Sequence, residues 1–196
     1  MKLLLAFLLY CWAGTTWGQA RTALPVDPTT HRIRYTALVP AAGRSQVDLL
    51  ACARAWAKGI GTSDKPAVST STPDTEVLVA YRSQPFAYTY AYTPATKGTP
   101  QHYTVRMVLH YKAQLSLQQG RYRYEVTDFD FEYPTAKPSS PTRLPAEDNL
   151  IHTRPINERG ASMLTAERTS FEETVTKLLA QLQQQMSTPA NPIGVE

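Results

Sequence analysis

The chain is poor in the patterns that carry chemistry. It has two cysteines and four histidines in 196 residues. Two cysteines are too few for a disulfide scaffold. No HExxH or CxxC spacing occurs, so no metal motif is present. His102 and His110 share one face of a strand-like run but lie eight residues apart, about 26 Å in extended chain, too far to share an ion. GxSxG and SxxK are absent, so no serine is marked as a nucleophile. Gly59 and Gly61 lie too close together, at the end of a helical pattern, to form a phosphate-cradling loop. Long apolar runs are missing too. The run from Leu3 to Ala13 is eleven residues, against roughly 20 for a membrane span. These absences exclude a disulfide mini-protein and a multi-span membrane protein. They predict no catalytic residue, no metal and no cofactor.

What is present begins with a leader. Residues 1–20 read MKLLLAFLLYCWAGTTWGQA. Lys2 gives a positive start, Leu3 to Ala13 an apolar core, and Gly18 and Ala20 small residues at positions −3 and −1 of a cleavage site. That is the layout of a secretory signal peptide. It implies export, to the periplasm or the cell exterior, and no stable membrane span once the leader is cleaved. Tyr10 stands where lipoprotein processing at Cys11 requires a small residue. Cleavage removes Lys2, the only charged side chain of the leader, so the formal charge falls from +4 to +3. It also removes Cys11, which leaves Cys52 alone. Flanked by Ala51 and Ala53 in a helical pattern, Cys52 reads as a small buried apolar residue.

The mature chain reads as one domain. Residues 21–31 form a flexible, proline-containing lead-in. Arg32–Val39 alternates as a half-buried strand. Ser45 and Asp48 have capping-box spacing, and Leu49, Leu50, Ala53, Trp56, Ala57 and Ile60 make a helical stripe ended by Gly59 and Gly61. Thr62–Thr75 reads as a loop. Glu76–Arg82, Phe86–Thr93, a long run within His102–Leu117 and Arg121–Tyr133 read as four strands, the last two joined by a turn at Gln118–Gly120. The apolar phase of the last run switches from even (Tyr122, Tyr124, Val126) to odd (Phe129, Phe131, Tyr133). A period of two cannot do this, so a bulge is expected near Thr127–Asp128. Residues 134–155 form a proline-rich connection. A final helix runs from about Ser162, read as its cap, to Met186, with 188–196 as a tail. The domain, 32–187, is α+β: β-α-β-β-β-β-α, a twisted antiparallel sheet with two helices on one face. Alternation in the strands predicts that the other face is wet.

The leader, the Ser45-Gln-Val-Asp-Leu-Leu helix start with Trp56 later, the tyrosine-rich middle strands and Gly120-Arg-Tyr-Arg-Tyr-Glu-Val-Thr-Asp-Phe resemble a secreted bacterial family, "domain of unknown function 4468". The resemblance is best over residues 32–133. It implies a TATA-binding-protein-like fold and export, and it supplies no catalytic residue.

Three features bear on function. Asp128, Asp130 and Glu132 project together from one strand and read as a solvated acidic row facing Arg106 or His110 across the hairpin. Phe86, Tyr88, Tyr90 and Tyr92 share a face; they read as core, because the alternate Ala and Thr face would make a poor one. If they faced water instead, they would form an aromatic platform for a glycan or peptide. Arg106, His110, Arg121 and Arg123 give the open sheet face a basic cast and are the candidate binding residues. Export argues against a nucleic-acid partner, despite the fold name. Two functions remain: a non-catalytic exported domain that binds a protein, peptide or glycan of the cell envelope, or a carrier of, or enzyme for, a small apolar ligand held between sheet and helices. The sequence leaves the oligomeric state open.

Overall fold

In the computed structural model, residues 23–59, 65–72, 74–96, 98–134 and 142–188 are described. The leader at 1–20 lies outside these residues, as do Ile60, Gly61 and the tail beyond Thr188. Six strands form one antiparallel sheet: β1 (Tyr35–Pro40), β2 (Val68–Ser71), β3 (Glu76–Tyr92), β4 (Gln101–Gln118), β5 (Arg121–Tyr133) and β6 (Thr142–Pro145). Their order is β1-β5-β4-β3-β2. β6 continues the edge that β1 occupies, pairing with Asp130–Tyr133 where β1 pairs with Arg121–Val126. Two helices, α1 (Gln46–Gly59) and α2 (Glu158–Ser187), pack on one face of the sheet. The expected α+β architecture is therefore present.

The long hairpins set the core. On β3 the even residues Leu78, Ala80, Phe86, Tyr88 and Tyr90 are buried, and they pair with odd residues of β4, among them Leu115, Ala113 and Met107. The tyrosine face is thus the core face. Burial pushes the Tyr111 hydroxyl up to about 12, so the ring stays neutral at physiological pH. Leu49, Cys52, Ala53, Trp56 and Ala57 of α1 are buried, and so are Phe171, Val175, Leu178, Leu182 and Met186 of α2. Cys52 is accordingly a packed residue; its sulfur receives a hydrogen bond from Arg44 at 2.9 Å.

The phase switch in β5 is resolved by a bulge at the expected place. Lys112 pairs with Thr127 but His110 pairs with Asp130, so Tyr111 alone faces both Asp128 and Phe129. Asp128 takes the extra step with φ +53°, a left-handed conformation that Asp tolerates better than most side chains. Tyr122, Tyr124 and Val126 before the bulge, and Phe129 and Phe131 after it, are all buried on one face. The ring of Phe171 meets Phe129 edge-on at 5.1 Å and Phe131 at 6.1 Å.

Several boundaries differ from the expectation. The two runs Glu76–Arg82 and Phe86–Thr93 form a single strand, because the pairing with β4 continues unbroken past Pro85. β2 lies within the stretch read as a loop; its four residues are all exposed, so no burial pattern marks it. The proline-rich connection contains β6 and a π-helical turn at Asp148–His152. α2 begins at Glu158, and its cap is Asn157, whose side chain accepts from the Gly160 N–H at 2.8 Å. Ser162, read as the cap, lies inside the helix and donates to the Ala91 carbonyl at 2.7 Å, which ties α2 to the end of β3. The Ser45–Asp48 capping box forms as read, with the Asp48 N–H on the Ser45 hydroxyl at 3.1 Å. Part of the lead-in is fixed to the domain. The Asp27 carboxylate accepts from the N–H groups of Thr29 and Thr30 and from Arg34. The bond from Thr30, then those from Arg34 and Thr29, hold it well below the usual carboxylate range.

Three carboxylates among the described residues are buried, those of Glu76, Glu147 and Glu167. Glu147 accepts the Ile33 N–H at 2.7 Å. Glu167, 3% exposed, receives a hydrogen bond from Asn149, whose amide also donates to the Tyr133 hydroxyl. Burial raises the Glu167 carboxyl above its ordinary range, and the Asn149 bond only partly opposes this.

Two outcomes are expected. Asp128→Val should cost about 1–2 kcal/mol through the left-handed backbone, whereas Asp128→Gly should stay within about 1 kcal/mol of the parent; urea denaturation separates them, and equal losses would deny the bulge its conformational role. Because the native carboxyl of Glu167 titrates above its unfolded value, its ionised form weakens the fold as pH rises through the native titration. Glu167→Gln should therefore raise Tm by a few degrees at pH 7–8, with the gain vanishing below the ordinary Glu range near pH ~4. A gain independent of pH would contradict this.

Candidate functional site

The face opposite the helices carries all four candidate residues. Arg106 and His110 are even residues of β4, and Arg121 and Arg123 are odd residues of β5 before the bulge. They do not form one cluster. Arg121 and Arg123 sit opposite Gln118 and Ser116, while His110 lies six residues further along β4, roughly 20 Å away. Arg106 lies four residues beyond His110, toward the opposite end.

The bulge defines the centre of this face. Past Asp128 the phase of β5 reverses, so Asp130 and Glu132 turn toward water on the side where Arg121, Arg123 and Glu125 also project. His110 Nε2 lies 2.8 Å from Glu132 Oε2, and Arg143 of β6 donates to the same oxygen at 2.8 Å. Glu132 of the acidic row is therefore paired with His110, one of its two expected partners. Partial burial raises the Asp130 carboxyl, with the charges of Arg32 and His110 opposing and those of Glu147 and Asp128 reinforcing. A small pocket of about 160 Å3 opens here, lined by Lys65, Tyr81, His110, Lys112, Asp128 and Asp130 among others. Arg34 bridges Asp27 at 2.7 Å and Glu125 at 2.6 Å on the same face. The middle of the face thus carries both signs of charge, and the basic cast is confined to its ends.

At one end, Arg121 and Arg123 line a shallow depression of about 360 Å3 with Leu38, Ser116 and Gln118. Leu38 is 54% exposed there. Arg121 donates to Gln118 Oε1 at 2.7 Å, which fixes its guanidinium against the sheet.

Sequence reasoning passed over Ser83, which stands directly across from His110 in the sheet. Ser83, His110 and Glu132 are the residue types of a nucleophile, a base and an orienting carboxylate. Only the register of three strands brings them together, so no local signal could have found them. Ser83 is buried, however, and is not among the described residues lining the neighbouring pocket. What the arrangement can do is pair charge: Glu132 with His110 and Arg143, and an anion at the arginine end.

No protein-family model matches the chain, and no curated protein does. Two solved structures are similar. One is a TBP-like protein from Parabacteroides distasonis, with 16% identity, a TM-score of 0.43, and coverage of 78% of this chain and 93% of that one. The other is a DUF4468 family protein from Bacteroides ovatus, with 13% identity, a TM-score of 0.54, and coverage of 85% of this chain and 92% of that one. The chain has the fold of the DUF4468 family protein.

Proposed function

We propose that this chain is an exported, non-catalytic domain whose open sheet face binds a protein, peptide or glycan of the cell envelope. One observation carries the reading. A six-stranded sheet has both helices on one face, and among the described residues no helix covers the other. That uncovered face carries exposed Leu38 beside Arg121 and Arg123 in one depression. An apolar side chain beside two guanidinium groups suits a partner with negative charge next to an apolar contact. The space between sheet and helices is filled by aromatic rings, Phe129, Phe131 and Phe171 among them. This weighs against a ligand held in the middle of the core.

Expression of the full-length chain in a bacterium with two membranes, followed by fractionation, tests both halves of the reading. The expected product has the mass of residues 21–196 and is retained on isolated envelope, with release increasing as salt is raised. Arg121→Gln with Arg123→Gln should cut that retention several-fold without lowering Tm. An uncleaved cytoplasmic product overturns the export. Free elution of the parent at physiological salt, or equal retention of the variant, overturns the binding face.

A further inference from the structure

The margin of the core holds a cavity that the open-face reading does not use. α1, β2 and the first half of β3 enclose an open-sided hollow of about 550 Å3, within the range of small-ligand sites. Its floor is apolar, made by Leu78 and Ala80 of β3 and Ala57 of α1, all buried. Its walls carry cations: Arg54 and Lys58 on α1, Lys65 ahead of β2, and Arg82 on β3. No carboxylate stands among its described lining residues. The negative end of α1 offsets about half a charge at Lys58, less than Arg54 and Lys58 together supply. Arg54 Nη2 donates to Ser69 Oγ at 3.2 Å, which stations the guanidinium between helix and edge strand at the mouth.

An apolar floor under a cationic rim is the complement of one ligand chemistry. We propose that this cavity binds a soluble, single-chain amphiphilic anion, an alkyl or aryl acid, with its head at Arg54 and Lys58 and its body over Ala57, Leu78 and Ala80. A neutral ligand of the same shape leaves the rim unused. A cationic one meets the like charges of Arg54 and Lys58. The site faces the helix side of the sheet, so it is independent of Arg121 and Arg123.

The test uses the purified chain and the fluorescent anion 8-anilino-1-naphthalenesulfonate, displaced by decanoate, decanol or decyltrimethylammonium. Decanoate should displace the dye at least ten-fold more effectively than either of the others. Arg54 and Lys58 are exposed, so Arg54→Gln with Lys58→Gln should preserve Tm while weakening decanoate at least ten-fold. Arg121→Gln with Arg123→Gln should leave decanoate binding unchanged, which separates this site from the envelope-binding face. Equal displacement by all three compounds, no effect of the Arg54 and Lys58 changes, or no dye binding at all would overturn the proposal. So would flotation with phosphatidylglycerol vesicles that depends on Arg54 and Lys58, since the cations would then serve a lipid surface and not a soluble acid.

Discussion

One extra residue in β5 decides what both faces of the sheet can do. Before Asp128 the even side chains point to the helices; after it the odd ones do. Without the bulge, Phe129 and Phe131 would face water, forfeiting about 1.5–3 kcal/mol each. The left-handed backbone of Asp128 costs about 1–2 kcal/mol, so the bulged arrangement wins. Phe171 then anchors α2 against two rings that share its face only because of that residue. The same reversal turns Asp130 and Glu132 outward, which is why Glu132 meets His110 and Arg143. Core packing and surface electrostatics are consequences of a single backbone step.

The proline-rich connection shows how polar groups position a segment that has little regular structure. Glu147 takes the Ile33 N–H, and Arg168 donates to the Leu150 carbonyl at 2.6 Å. Asn149 links Tyr133 and Glu167. Each bond crosses between elements distant in sequence, so the connection is fastened to Ile33 just ahead of β1, to β5 and to α2. Burying carboxylates here opposes stability, and the hydrogen bonds to Glu147 and Glu167 reduce that cost, for Glu167 only in part.

What was legible in the sequence followed periodicity. The tyrosine face, the two helical stripes, the capping box and the bulge all rest on side chains that recur at two or near 3.6 residues, and burial enforces those spacings. β2 escaped because Val68–Ser71 is exposed on every side chain, so its pairing with β3 leaves no mark on composition. The start of α2 was misplaced because Ser162 is a plausible cap in isolation; only its distant partner, the Ala91 carbonyl, explains it. The candidate residues were assigned to the correct face by alternation, yet their separation along the strands depends on register, which alternation does not encode. The pairing of His110 with Glu132 and the position of Ser83 across from it depend on register as well.

The sheet order has a consequence for how the chain comes together. β3, β4 and β5 meet through successive hairpins and can close locally as the chain is made. β1 is different: Tyr35 pairs with Val126, ninety-one residues later. The strand synthesised first thus has no neighbour until nearly two-thirds of the chain has emerged. Its loop-closure entropy is lost only at that late step. Throughout that interval residues 35–40 lack the strand they pair with, and their unpaired N–H and C=O groups form an open sheet edge.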